Sequence, residues 1–214
     1  MRPASPGPVP RAYHSQVPEP RSAYDSTRYI RINRRDTAHL GRVARHLAPA
    51  PGSRVLEVGC GRGFLTRDMH ERLGLDVTGT DLNPNVVDRA VTDRVRSMPA
   101  TALDFPDETF DHVVTIHTIE HVPAIGTAFR EMARVLKPGG TMLAVYPAEP
   151  IQGLFAIPTA IILHGNPFKA REVHCHLLNP RKVRGFAEPV GLTETLHEFS
   201  FFATPQYTSV FAKV

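Results

Sequence analysis

The chain has 214 residues, of which 42% are hydrophobic and 21% charged, enough for one domain with a full core. The formal net charge is +4 and there are 2 cysteines, which excludes a disulfide-stapled scaffold and fits a reducing, cytoplasmic setting. The longest apolar tract, IQGLFAIPTAIILHG (Ile151–Gly165), is broken by Gly153 and Pro158 and is too short to cross a bilayer.

In chain order, a proline series comes first: Pro3, Pro6, Pro8, Pro10, Pro18 and Pro20. Residues 1–23 read as a disordered leader that buries too little to fold, and without an apolar h-region they do not form a secretory signal. From about Tyr24 to Leu47 the spacing of Ile30, Ala38, Leu40, Val43 and Leu47 predicts a helix, stopped by Pro49, Pro51 and Gly52. Arg21, Arg28, Arg31, Arg34, Arg35, Arg42 and Arg45 crowd this region. A solvated helix face is the plainer reading, and attraction to phosphates or an anionic membrane surface is the other.

Strands and helices then alternate. RVLEVG (Arg54–Gly59) predicts a buried strand, and FLTRDMHERLG (Phe64–Gly74) a helix closed by glycine. DVTGTD (Asp76–Asp81) is a second strand, followed by a helix over Asn83–Val91 with Asn83 as N-cap and Pro84 at its first position. A weak third strand falls near Val95–Met98, a fourth at HVVTIH (His112–His117), then a helix over Ala124–Leu136. KPGG (Lys137–Gly140) reads as a turn into a fifth strand, Thr141–Pro147. A helix from about Pro180 to Val190 and strands near Leu196–Phe202 and Tyr207–Val214 complete the pattern. Repeated βα units predict one α/β domain over 24–214, a doubly wound, mostly parallel sheet with helices on both faces. Its ligand belongs at the carboxyl ends of the strands, where strand order reverses.

The stretch VLEVGCGRGF sets Glu57 beside Gly59, Gly61 and Gly63 at such an end. Glycine admits positive φ and close approach of a ligand, although a tight turn alone would also use it. The spacing is GxGxG, with Phe64 where the third glycine of a nicotinamide-binding GxGxxG would fall. Asp81, ending the second strand, suits a ribose diol; an N-cap role is the alternative, for which Asn83 is better placed. Third comes ALDFPDETFDHVVTIHTIEHV, leading into FREMARVLKPGG.

With these motifs in this order, the chain resembles the class I S-adenosylmethionine-dependent methyltransferases, in the small-molecule branch that includes quinone-biosynthesis enzymes. The resemblance is close from Arg54 to Val145 and looser through REVHCHLLNPRKVRGFAEPVGL. It implies a Rossmann-like sheet of seven strands with the last antiparallel. It implies that Glu57 and the backbone of Gly59, Cys60, Gly61 and Gly63 hold the methionine portion of S-adenosyl-L-methionine. Asp81 would hold the ribose, Leu82 would pack on the adenine, and Ile116 would lie beside the methionine end. The cofactor carries a sulfonium and an ammonium, so a carboxylate at the strand end is complementary. One departure is Pro99, where the branch usually places an acidic residue against the adenine amino group; adenine recognition then leans on the backbone of Ala100 or on Thr101.

Methyl transfer is an in-line displacement whose reactive group the cofactor brings; the protein aligns the partners and excludes water. A base is needed only where the acceptor must lose a proton. His117 is the favoured candidate, with His121 and His174 as further catalytic or substrate-pocket residues. Glu120–His121 reads chiefly as a hydrogen-bonded pair that shapes its loop. HCH (His174–His176) lacks a second ligand pair at zinc spacing, so no metal is expected. The apolar insertion at about 148–171, with Ile151, Leu154, Phe155, Ile157, Ile161, Ile162 and Leu163, reads equally as a helix pair closing the core or as a cover over an aromatic or lipid-like acceptor. A cover of that kind would also permit peripheral membrane contact.

The expected partner is a small-molecule acceptor, with the protein a monomer or homodimer. A nucleic-acid methyltransferase is the rival, disfavoured because IHTIEHV replaces the Asn/Asp-Pro-Pro-aromatic run of base-amino methylating enzymes and no aromatic residues interleave with the basic ones. A non-catalytic S-adenosylmethionine-binding module is the other rival.

Overall fold

The computed structural model describes residues 37–148, 175–201 and 205–214. The expected leader, the first part of the N-terminal helix, nearly all of the apolar insertion and His174 lie outside the described residues. The elements are α1 (Thr37–Leu47), β1 (Arg54–Val58), α2 (Phe64–Leu73), β2 (Asp76–Asp81), a one-turn α3 (Pro84–Val87), β3 (Val95–Ser97) and β4 (Phe110–Ile116). After a 3₁₀ turn (Ile119–His121) come α4 (Ile125–Val135), β5 (Leu136–Pro147), α5 (Pro180–Ala187), a second 3₁₀ turn (Glu188–Val190), β6 (Leu192–Ser200) and β7 (Gln206–Lys213).

The strands form one seven-stranded sheet in the order β3-β2-β1-β4-β5-β7-β6. All neighbouring pairs from β3 to β5 are parallel, and β7 runs antiparallel to both β5 and β6. Strand order reverses between β1 and β4, so the crevice for a ligand opens at the carboxyl ends of those two strands. Each face carries its own core. Phe110, Phe129, Met132, Tyr146 and Phe211 pack under α4 and α5, and Val43, Met69, Leu75, Val114, Leu143 and Val210 under α1 and α2. In α4 the buried Ile125, Ala128, Phe129, Met132 and Val135 recur at three- and four-residue steps, one stripe laid on the sheet.

Several boundaries differ from the sequence pattern for visible reasons. The helix expected over Asn83–Val91 is only Pro84–Val87, because the Val91 amide donates to the Arg62 carbonyl at 2.9 Å and pulls the chain toward the glycine loop. Asn83 caps it as expected, accepting from the Asn85 amide at 3.0 Å. β5 begins at Leu136, with KPGG set between two paired stretches: Leu136 pairs with Phe110, and pairing resumes at Thr141 with His112. Gly140 is required in that excursion, since a Cβ there would lie 2.9 Å from the Asp111 carbonyl oxygen. β4 ends at Ile116, so His117 leaves the strand, with φ at +49°.

Candidate functional site

At the carboxyl end of β1 the chain turns through Gly59, Gly61 and Gly63 at φ of +76°, +53° and +76°. β2 fixes this loop. The Gly59 and Cys60 amides both donate to the Thr80 carbonyl, at 2.7 and 2.9 Å, and the Gly63 amide closes onto the Cys60 carbonyl. A Cβ on Gly59 would fall inside the Thr118 side chain, so glycine here is a packing requirement as well as a conformational one.

Glu57 lies inside β1 with 4% of its surface exposed, and the Thr66 hydroxyl of α2 donates to its Oε2. Desolvation pushes its pKa up to about 8 against the opposing Thr66 hydrogen bond, and the Asp81 charge adds to the rise. A cation set against this carboxylate would draw the value back down. Gly79, paired with Glu57 across β2, makes room for this arrangement, since a Cβ there would lie 2.5 Å from the Thr66 hydroxyl and 2.8 Å from the Cys60 sulfur. Burial, with Glu57 and Asp81 nearby, raises the Cys60 thiol well above its ordinary value, so Cys60 serves the loop through its backbone and is no nucleophile.

Asp81 terminates β2 and joins three segments. Its Oδ2 accepts from the Gly61 amide at 2.8 Å, its Oδ1 from the Asn83 amide at 2.9 Å, and its carbonyl from the Met98 amide at 3.0 Å. Burial raises its pKa, while the two amides oppose the rise. Each carboxylate oxygen has two lone-pair sites, so one on each remains, and a vicinal diol would fill both. Leu82 is 45% exposed, an apolar side chain next to this carboxylate. Ala100 is half-buried in the turn closed by the Ala102 amide on the Pro99 carbonyl, 3.2 Å. Ile116, also half-buried, ends β4 beside Val145.

Past β4 lies a second polar group. His117 Nδ1 is 3.5 Å from Glu120 Oε1 and its Nε2 is 3.0 Å from Gln206 Oε1. Oxygen acceptors at both ring nitrogens favour the protonated form of the ring. Burial would depress the His117 pKa, but the Glu120 hydrogen bond and charge, with Gln206, outweigh it and Arg42 and hold it above its ordinary value. Glu120, 1% exposed, would be raised by the same burial, yet His117 and His121 draw it below the usual carboxylate range. His121 Nε2 lies 3.9 Å from Glu120 Oε1, and the His176 amide and ring bind the carbonyls of Glu120 and Val122, so both histidines brace this turn. Among the described residues no group of three or more His, Cys, Asp or Glu is arranged to hold a metal ion.

The fold thus brings Glu57, Gly59, Cys60, Gly61, Gly63, Asp81 and Leu82 to one strand-end crevice. Thr118 joins it to His117: its hydroxyl donates to the Ile116 carbonyl at 3.0 Å, with the Gly59 carbonyl at 3.4 Å. Thr66, Gly79 and Gln206 were not singled out from sequence. Gly79, an interior glycine of a strand, signals close approach of another group; Thr66 and Gln206 carry no such signal.

Residues 56–144 match the family model of a methyltransferase domain. Over 100 residues the chain is 38% identical to a 2-methyl-6-phytyl-1,4-hydroquinone methyltransferase of Synechocystis, covering 44% of this chain and 31% of that protein. Over 102 residues it is 42% identical to a ubiquinone biosynthesis O-methyltransferase of Xanthomonas campestris, covering 43% of this chain and 42% of that one. The chain therefore spans roughly a third to a half of the length of such curated relatives. Among solved structures, phosphoethanolamine N-methyltransferase 2 of Haemonchus contortus, in complex with S-adenosyl-L-methionine, superposes with a TM-score of 0.68 at 18% identity, covering 91% of this chain and 58% of that one. The class I methyltransferase resemblance read from the motifs is borne out over this segment, as is the seven-stranded sheet.

Proposed function

We propose, from the premise that residues 56–144 form a class I methyltransferase domain, that the protein transfers a methyl group from S-adenosyl-L-methionine to a small apolar or aromatic acceptor. The observation that carries this reading is the crevice in which the glycine loop, Glu57 and Asp81 converge from adjacent strand ends. Those residues fit the cofactor. Glu57 is a buried carboxylate whose raised pKa a cationic ammonium would relieve, Asp81 keeps lone pairs for both ribose hydroxyls, and Leu82 offers apolar cover for an adenine ring. No dinucleotide pyrophosphate is implied, because the loop lacks the third glycine of GxGxxG.

When bound, the cofactor supplies an electrophilic methyl group and leaves as its demethylated thioether. The chain's own task is alignment and exclusion of water, and orientation of this kind is worth on the order of 7–11 kcal/mol in well-oriented intramolecular reactions. When protonated, the form its neighbours favour, His117 orients or stabilises an acceptor oxygen, and it acts as a base only in its neutral form. Acceptor membership in quinone- or lipid-type biosynthesis is supported by the names of the relatives. The test is a thermal-shift titration of the whole chain: S-adenosylhomocysteine raises the melting temperature and NAD does not. A response to NAD alone would overturn the assignment.

A further inference from the structure

Arg134 and Glu131, one turn apart on α4, hold a segment that has no regular structure of its own. Every N–H of the guanidinium is engaged. Nε and Nη2 reach the two Glu131 carboxylate oxygens at 2.9 and 2.8 Å, and Nη2 also reaches the Leu103 carbonyl at 2.8 Å. Nη1 donates to the Phe105 carbonyl at 2.8 Å and to Asp107 Oδ1 at 2.7 Å. Glu131 Oε2 accepts in turn from the Leu103 amide at 2.9 Å, so the pair clamps one residue by both its N–H and its C=O. The guanidinium holds the Glu131 carboxyl below its usual range, as an ion pair requires. Joining β4 to α4 asks for less than this: the Glu108 and Thr109 amides already donate to the carbonyls of Arg134 and Val135, at 3.0 and 2.8 Å. The clamped Leu103 is buried in the core on which Met98, Ala100 and Phe105 pack. The other end of its segment lies at the crevice, where the Met98 amide donates to the Asp81 carbonyl at 3.0 Å and the Pro99–Ala102 turn follows. Between Pro99 and Leu103 stand only Ala100, Thr101 and Ala102, so no side chain there brings a carboxylate or an amide to the edge of a base. A turn of that composition reads a ligand chiefly through backbone N–H and C=O groups, which discriminate only as sharply as they are fixed.

We propose that Arg134 and Glu131 are positioning residues for nucleobase discrimination: by clamping Leu103 they fix the backbone of the Pro99–Ala102 turn and so decide how sharply it tells adenine from another purine. The inference rests on the methyltransferase reading above. Both residues act through the turn and not by contact with the ligand. The two-point hold on Leu103 carries the effect, because the Asp107 contact is solvent-facing and such ion pairs are weak.

The test titrates S-adenosylhomocysteine and S-inosylhomocysteine, in which a carbonyl oxygen replaces the adenine amino group, by calorimetry well below each variant's melting temperature. Wild type is expected to prefer S-adenosylhomocysteine, and the ratio of the two dissociation constants is the readout. Arg134→Gln lowers that preference by at least roughly fivefold, the worth of about one hydrogen bond. Arg134→Lys, which keeps the charge but not the planar fork, recovers only part of it. Glu131→Gln leaves an amide oxygen for the Leu103 N–H and lowers the preference less. Should Arg134→Gln not fold, Glu131→Gln decides: a lowered ratio supports the proposal and an unchanged one overturns it. The control is Arg184→Gln, which breaks the 2.9 Å bridge from α5 to Glu194 and is expected to cost stability at constant ratio. A lower melting temperature with an unchanged ratio in Arg134→Gln is the mark of a purely structural clamp and overturns the proposal. So does an equal fall in the control, or a wild type without preference between the two ligands. Wild type that binds neither ligand refutes the underlying methyltransferase reading instead.

Discussion

Glu57 and Glu120 stand on and just beyond neighbouring strands, 4% and 1% exposed, and their pKa values move in opposite directions. Burial acts on both and raises both. Glu57 has one hydroxyl partner, Thr66, and the Asp81 charge nearby, so burial wins and its pKa rises to about 8. Glu120 has His117, with His121 behind it, and the paired charge outweighs burial. A buried carboxylate is tolerable when neutral or when paired, and the two sites show one solution each. The glycine-loop side thus holds a carboxylate that a cationic ligand would match, while the His117 side matches its carboxylate from within the chain.

Severing the contact that joins the two regions carries the largest expected effect. Gly59→Ala sets a methyl group inside Thr118 at a φ of +76°, which costs about 3 kcal/mol or more from overpacking and strain. Thermal denaturation is expected to show a melting temperature lower by roughly 6–12 °C, together with loss of S-adenosylhomocysteine binding. Wild-type stability in this variant would mean that Thr118 does not pack on the loop.

Next is Glu120→Gln, which removes the charge holding His117. Its cost is about 2–3 kcal/mol, below the loss usual for a broken buried pair because His117 can shed its proton. The signs are definite. The raised His117 pKa contributes stability that is present at low pH and lost as pH rises through it; the lowered Glu120 pKa contributes stability that is lost as pH falls through it. The pair therefore stabilises the fold in the window between, and denaturation curves across pH are expected to lose that hump in the variant.

Asp81→Ala comes third. In the proposed role it deletes acceptors for two ribose hydroxyls, each charge-assisted hydrogen bond being worth about 1.5–3 kcal/mol, so S-adenosylhomocysteine affinity is expected to fall by at least tenfold in calorimetry. The fold itself loses only the two amide contacts to Gly61 and Asn83.

The last effect is a pH trend in the ligand-free protein. Between 4.5 and about 8 the unfolded Glu57 is ionised while the folded one holds its proton, so this group lowers stability as pH rises through that interval. Glu57→Gln is expected to flatten the trend, measured as melting temperature against pH.

The two regions also differ in how far the sequence discloses them. Glu57 to Asp81 is one βαβ unit, and its strand pattern, glycine spacing and terminal aspartate are local features that survive without tertiary knowledge. What was missed there, Thr66 and Gly79, meets only once α2 folds back over β1 and β2. On the other side, His117 was legible as a candidate, but its state was not. That state depends on Gln206, 89 positions later, and on Arg42, on a helix far earlier in the chain. The expectation of a strand running through His117 failed for the same reason, since the positive φ there follows from tertiary hydrogen bonds and not from local propensity.

The most direct single measurement is a calorimetric titration of S-adenosylhomocysteine into the whole chain at pH 7, run in two buffers of different ionisation enthalpy. If a ligand ammonium seats against Glu57, binding forces that carboxyl to ionise, and the buffer dependence reports release of a fraction of a proton that vanishes in Glu57→Gln. Binding without proton release, or with release unchanged in Glu57→Gln, would contradict the role assigned to this carboxylate, and absence of binding would contradict the cofactor site as a whole.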